Sequence, residues 1–178
     1  PLLDYYGLIP VASYIISDGQ GGSDTATLAL SMIPNSPPDA VNDGPVTVLE
    51  DTPVNGNVLA NDTDPNGNPL TVSGFSIDTD GDGVPEQFAP GQTATIIGVG
   101  ALTIGVNGAY TFTPQPNYAG PVPAATYDIT DGQGETDSAM LVLGPVTPVN
   151  DAPVPLITPA VGDEDTLIIV NLSGTDPD

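Results

Sequence analysis

The chain has no lysine, no arginine and no histidine against 23 acidic residues, a formal net charge of −23 over 178 residues. Without a cationic side chain it has nothing to neutralise phosphate, which excludes nucleic acid as a direct partner and disfavours an anionic membrane surface. The carboxylates also lack an internal counter-charge, so any that folding draws together repel one another unless an external cation joins them. Cysteine is absent as well, which removes a disulfide framework and a thiolate metal site without arguing against secretion. With His, Cys, Lys and Arg all missing, an enzyme would be left with a carboxylate pair of the glycosidase kind. No Glu stands in an apolar pocket signal that would raise its pKa, so catalysis is not expected. No apolar run approaches the roughly 18 residues of a membrane span. The opening PLLDYYGLIP lacks the basic start and unbroken apolar stretch of a signal peptide, and the chain reads as a piece of something longer.

What the chain does contain is repetition. Apolar residues make up 39%, too many for a disordered acidic tail. Asp18-Gly19-Gln20-Gly21 returns as Asp131-Gly132-Gln133-Gly134, 113 residues later, and at that spacing Tyr5 matches Tyr118, Gly7 Gly120, Tyr14 Tyr127 and Asp24 Asp137. Glu50-Asp51-Thr52 returns as Glu164-Asp165-Thr166 after 114 residues, and Thr63-Asp64-Pro65 as Thr175-Asp176-Pro177 after 112. One spacing held across separated motifs marks a repeat. Residues 1–34 match the end of a repeat, 35–150 form one complete copy, and 151–178 match a beginning. The boundaries, Asn35-Ser36-Pro37-Pro38-Asp39 and Val149-Asn150-Asp151-Ala152-Pro153, are short and proline-rich, which stiffens them and stops strand pairing.

The complete copy reads as all-β. Runs rich in β-branched and aromatic residues, broken by Gly, Asn, Asp and Pro, predict strands near 45–50, 54–60, 70–77, 93–98, 101–106, 109–113, 123–130 and 137–143. In Ala109-Tyr110-Thr111-Phe112-Thr113 the two aromatics fall on one face, and Asn107-Gly108 before it signals a tight hairpin. So many short strands in one copy predict tandem immunoglobulin-like or cadherin-like Greek-key β-sandwich repeats.

Acidic motifs then acquire places. In such a sandwich the loop after the second strand, the loop before the last, and the incoming linker share one end. Asp62, Asp64, Asn66, Asp131 and the linker residues Asn35 and Asp39 are therefore expected to gather there. So many hard oxygen ligands suit Ca²⁺, which takes roughly six to eight at loose geometry. A separate motif runs Asp78-Thr79-Asp80-Gly81-Asp82-Gly83-Val84-Pro85-Glu86. Asp78, Asp80 and Asp82 stand at alternate positions with Gly83 next, as in the first half of a calcium loop. The Val84 carbonyl and Glu86 would follow as ligands, but Ala89 stands where a closing bidentate Glu would be. The plainer reading of each motif is that Asp, Asn and Gly form solvated turns.

Val48-Leu49-Glu50-Asp51-Thr52-Pro53-Val54-Asn55-Gly56, followed by Ala60-Asn61-Asp62-Thr63-Asp64-Pro65-Asn66-Gly67, resembles the start of a cadherin repeat, and Asp131-Gly132-Gln133-Gly134 with Val149-Asn150-Asp151-Ala152-Pro153 resembles its closing motifs. The pattern is similar to the bacterial cadherin-like repeats that occur in tandem in giant secreted adhesins of the RTX type, and it spans the whole chain. The resemblance implies an extracellular or cell-surface rod whose linkers calcium stiffens. It implies that Glu50 reaches the downstream junction and that Asn150 and Asp151 bind there, joined by Asp176 and Asp178 of the next repeat. Asp64, Asn66 and Asp131 would take the matching roles upstream. Two departures stand out: the upstream linker 35–39 lacks an Asn-Asp pair, and the mid-domain acidic pair of animal cadherins has no counterpart. The expected function is a calcium-rigidified spacer that partners the neighbouring repeats of its own chain. Two alternatives remain: a segment of a self-assembling filament, in contact with other copies, and a calcium-dependent glycan-binding module. For the last, an aromatic content of 5% leaves few stacking platforms.

Overall fold

The computed structural model describes residues 9–156, 159, 161–165 and 167–176. Tyr5, Gly7, Thr166, Pro177 and Asp178 lie outside the described residues. The chain divides into two compact units, Pro1–Ser36 and Pro37–Asp178.

In the first unit, β1 (Ala12–Ser17) and β2 (Ser23–Leu28) form an antiparallel hairpin. The second unit opens with β3 (Asp43–Leu49), β4 (Val54–Asn57), β5 (Thr71–Ile77) and β6 (Glu86–Phe88). It continues with β7 (Thr93–Ile96), β8 (Gly100–Ile104), β9 (Ala109–Pro114), β10 (Ala125–Thr130) and β11 (Thr136–Thr147). A short pair, β12 (Val154–Leu156) and β13 (Ser173–Thr175), follows. The strands β3 to β11 make two sheets, ordered β3-β11-β10-β5-β6 and β4-β9-β8-β7. The chain crosses between the two sheets several times, as a Greek-key sandwich requires. No helix occurs among the described residues.

Alternation along the strands explains why the sheets face each other. In β9 the burial pattern alternates strictly, with Tyr110, Phe112 and Pro114 inward and Ala109, Thr111 and Thr113 outward. Phe75, Ile77, Tyr127, Ile129 and Leu141 of one sheet and Leu102, Ile104 and Phe112 of the other are completely shielded from solvent. Each such side chain contributes roughly 1.5–3 kcal/mol relative to exposure. Phe75 also stacks on Phe88, ring centres 5.3 Å apart.

The strand boundaries move for identifiable reasons. The 54–60 run ends at Asn57 because the Asn57 carbonyl and side chain both turn back, accepting from Ala60 N and from Leu59 N. The 137–143 run extends to Thr147 because β3 lies along the far side of β11 and gives its later residues a parallel partner. β6 goes unread in the sequence: three residues between Gly, Pro and Ala carry no periodic signal, and pairing with β5 creates the strand. The 107–108 hairpin forms, with Gly105 N bonded to Ala109 O and Gly108 at φ +78°, a three-residue loop with its last residue left-handed.

The hairpin β1–β2 repeats β10–β11. Ala12 faces Leu28 and Ser17 faces Ser23, as Ala125 faces Leu141 and Thr130 faces Thr136, each displaced by 113 residues. Tyr127 is fully buried, whereas Tyr14 at the equivalent place is 53% exposed.

Candidate metal centre

The loop joining β5 to β6 is built from its own carboxylates. Asp78 Oδ1 accepts from Gly81 N at 2.7 Å and Asp78 Oδ2 from Gly83 N at 2.9 Å. Asp80 Oδ1 accepts from Asp82 N at 3.1 Å, and Asp82 Oδ1 from Val84 N at 2.7 Å. Gly81 and Gly83 adopt φ of +81° and +86°, a conformation closed to most side chains, which lets three acidic residues turn inward within so short a span. As a result Asp78, Asp80 and Asp82 each offer a carboxylate oxygen within 4.8 Å of the others, the one such triple among the described residues. Three anions at that spacing, with no cationic side chain in the chain, fit a divalent ion by charge and by donor type. Glu86 stands outside the triple. Its Oε2 accepts from Thr79 N at 2.8 Å and from Thr79 Oγ1 at 2.6 Å, closing the base of the loop. The Thr79 hydroxyl and then its N–H hold the Glu86 carboxyl below its ordinary pKa. Val84 is 63% exposed at the loop surface.

The segments that carry Asp39, Asp62, Asp64, Asn66 and Asp131 lie at the end where the chain enters the sandwich. Asp39 pairs through its backbone with Thr63, and Thr71 pairs with Thr130, so the 58–70 loop and the 131–135 turn share that end with the start of β3. Asp62 Oδ1 accepts from Val41 N at 2.7 Å. Asp64 Oδ1 accepts from Asn66 N and Asn68 N, while Asp64 Oδ2 is buried and accepts no hydrogen bond. Asp131, 2% exposed, accepts at Oδ1 from the N–H groups of Gln133, Gly134 and Glu135, so its first task is to shape its own turn. Asp18 does the same for Gln20 and Gly22, and those N–H groups depress its pKa. Asn35 belongs to the other compact unit.

Three residues that the sequence reading left without a role complete this end. Tyr127 Oη lies 2.9 Å from Asp43 Oδ2, 3.0 Å from Val41 O, 3.2 Å from Val58 O and 3.3 Å from Asp62 Oδ1. One phenolic proton thus serves four acceptors, donating to one at a time. Asp137 Oδ2 accepts from Ala40 N. Asp137 had a signal, its match to Asp24. Asp43 had one too: Val41-Asn42-Asp43-Gly44-Pro45-Val46 repeats the pattern of Val149-Asn150-Asp151-Ala152-Pro153-Val154 at a spacing of 108, which a comparison at 113 passes over. The linker 35–39 itself has no such pair; Asn42-Asp43 stands at the start of β3.

Burial, followed by the charge of Asp62, raises the Asp43 pKa despite the Tyr127 hydroxyl; burial and then the charges of Asp137 and Asp39 raise that of Asp62. Burial and Asp43 push the Tyr127 phenol far above its ordinary range. Acids with raised folded pKa values hold protons that the unfolded chain has lost, so stability falls as pH rises through the interval from 3.8 to their raised values. With metal chelated, the melting temperature is expected to climb as pH is lowered from neutral into that interval. Glu86 opposes this, losing stabilisation as pH falls through its lowered value, but it lies at the surface, where water screens it. Asp62→Asn keeps the acceptor for Val41 and should raise the neutral-pH melting temperature while flattening the climb; an unchanged profile would refute the assignment.

At the other end, Glu50 is 3% exposed and its Oε1 accepts from Val149 N at 2.6 Å. Asn150 Nδ2 donates to Asp151 O, and Asp176 is exposed just after β13. Among the described residues, the carboxylates of Glu50, Asp151 and Asp176 do not reach the spacing of the Asp78 triple. Asp178 lies outside them.

The family described as "Bacterial Ig domain" matches residues 35–143. Among curated proteins, the "Calcium-binding lectin RapA2" of Rhizobium johnstonii (strain DSM 114642 / LMG 32736 / 3841) is 33% identical over 138 residues. That alignment covers 74% of this chain and 56% of the relative, so the chain spans little more than half the relative's length.

Proposed function

The chain belongs to the bacterial Ig domain family, and on that premise we propose that it is a calcium-rigidified spacer segment of an extracellular adhesin. The observation that carries the reading is the Asp78, Asp80 and Asp82 triple within 4.8 Å in a chain devoid of cationic side chains. Asp78, Asp80, Asp82 and the Val84 carbonyl would hold the ion; it would supply the charge that relieves their repulsion and fix the loop against β6. The buried Asp64 Oδ2 without a hydrogen bond supports a second cation at the entering end, beside Asp62, Asn66 and Asp39. At the leaving end Glu50, Asn150, Asp151 and Asp176 would serve the next junction. Repetition at a fixed period favours spacing over recognition, because every copy presents the same surface to its neighbour. A calcium-bridged glycan site is the second reading, favoured by the similarity to a protein named as a calcium-binding lectin.

Calorimetric titration of the 178-residue chain with calcium tests this. Heat of binding is expected, with at least one site lost in Asp80→Asn and in Asp82→Asn. Calcium at about 100 times its dissociation constant should stabilise the sandwich by roughly 2.7 kcal/mol. EDTA should enlarge the radius of gyration of a chain carrying several repeats. Absence of heat in the unmodified chain would end the calcium reading; calcium-dependent retention on a glycan surface would move the choice to the second.

A further inference from the structure

The two sheets of the complete sandwich differ in charge. The strands β4, β7, β8 and β9 carry no acidic residue. The strands of the five-stranded sheet carry Asp43, Glu86, Asp128 and Asp137. What the four-stranded sheet turns outward is hydroxyl, amide and methyl. Register places Thr93 opposite Thr103, Thr103 opposite Thr111 and Thr111 opposite Asn55, one row across all four strands. The Thr93 and Thr103 hydroxyls lie 2.9 Å apart and Thr111 Oγ1 donates to Asn55 Oδ1 at 2.7 Å, so the row is held in order. In the next row Ala101 stands between Thr95 and Thr113. Its side chain stops short of theirs, and there the face opens into a hollow of about 300 Å³ that Ile97 and Gln115 also line. Ile97 is 72% exposed beside it.

Size and charge choose the occupant. Four short strands at about 4.8 Å apiece make a face of roughly 300 Å², well short of the roughly 800 Å² per partner that a stable protein interface takes. A polyanion is repelled by a chain of net charge −23, and a cationic partner is drawn to the carboxylates elsewhere. An uncharged polymer meets neither obstacle. Threonine hydroxyls and the amides of Asn55 and Gln115 both donate and accept hydrogen bonds, as sugar hydroxyls do. Ile97, Ala101 and the threonine methyls offer apolar contact to the C–H face of a sugar ring. We propose that the outer face of the four-stranded sheet binds neutral polysaccharide, with one ring seated in the hollow beside Ala101 and adjoining rings over the threonine row. The site needs no metal and rests on neither the spacer reading nor a calcium-bridged glycan. The β5–β6 loop adjoins the hollow, since Ile97 N donates to Thr79 O at 2.8 Å, so calcium must be varied in the test.

The test is native affinity electrophoresis of the 178-residue chain through gels containing dextran, hydroxyethyl cellulose or galactomannan, in EDTA and in calcium. Polygalacturonate serves as the anionic counterpart. Retardation by at least one neutral polymer is expected in EDTA, and none by polygalacturonate. Thr113→Glu puts a carboxylate at the rim of the hollow and should raise the polymer concentration for half-retardation about tenfold or more. Gln115→Glu, exposed and of equal size, should act in the same direction. Thr126→Glu, exposed on β10 of the other sheet, should leave retardation in place. All three variants should keep the urea midpoint of the unmodified chain. The site is overturned by no retardation in any neutral gel, by equal retardation in polygalacturonate, or by retardation that both Thr113→Glu and Gln115→Glu leave unchanged. Retardation in calcium alone overturns it in favour of a calcium-bridged glycan. Self-association lost in Thr113→Glu, without retardation, overturns it in favour of a second copy. Retardation in EDTA by a chain that gives no heat with calcium removes the spacer reading alone.

Discussion

Gly44→Ala is expected to destabilise the complete sandwich by about 3–5 kcal/mol, read as a lowered urea midpoint at unchanged slope. Two costs combine. Gly44 adopts φ +98°, and holding an alanine there costs about 1–3 kcal/mol in backbone strain. The added methyl would also enter the envelope of the Val142 carbonyl oxygen on β11 and come within 3.1 Å of Val46 N. Neither atom belongs to a flexible side-chain tip, so β3 must move off β11 to make room, and overpacking of this kind adds about 1–3 kcal/mol. The substitution therefore strikes where β3 first meets β11, next to Asp43 and its contact with Tyr127. A loss under about 1 kcal/mol would mean that β3 shifts freely, and that the start of the strand is not held as described.

Tyr127→Ala should cost about 3–5 kcal/mol, the loss expected when a fully buried aromatic ring leaves a cavity. Tyr127→Phe separates the ring from its hydroxyl. It keeps the packing and removes the proton shared among Asp43, Val41 O, Val58 O and Asp62, at about 1–3 kcal/mol for the loss of this partly buried donor. Calcium should recover part of the second loss if a cation can take over the carboxylates, and none of the first. Tyr14 supplies the control. It occupies the same register in its hairpin but is 53% exposed, so Tyr14→Ala should change the stability of the complete sandwich by no more than about 0.5 kcal/mol. Equal losses at Tyr14 and Tyr127 would contradict the burial difference on which this comparison depends.

The entering end and the β5–β6 loop use acidity differently. At the entering end, Asp43 and Asp62 are half-buried, their pKa values raised by burial and by the charges of neighbouring carboxylates. At the β5–β6 loop, Asp80 and Asp82 are exposed and engaged in turn hydrogen bonds. Protonation relieves the first group, whereas turn hydrogen bonds hold the second together and a bound cation would offset its repulsion. Acidification and calcium should therefore stabilise the chain by separable routes, additive where the sites do not touch.

Much of this was legible in the residues alone. The 113-residue spacing, the alternation at 109–113 and the Asp-x-Asp-x-Asp-Gly run are local patterns, and local patterns survive without knowledge of the fold. From them follow the all-β class, the sandwich, the sharing of one end by the 58–70 and 131–135 segments, and the triple at Asp78, Asp80 and Asp82, since alternate residues around a left-handed glycine must converge. Other features have no local pattern. β6 exists because β5 pairs with it, and Glu86 turns to Thr79 because pairing sets the two across the loop base. Tyr127 reaches Asp43 and Asp62 across separations of 84 and 65 residues, and Glu50 reaches Val149 across 99. Such meetings depend on which strands adjoin in the sheet, and strand order is decided by packing two faces into one core. The absence of positive charge thus determined that carboxylates drawn together meet no cationic side chain of their own chain. Only the tertiary structure decided which of them meet, which one is buried without a hydrogen bond, and which close a loop or staple a strand.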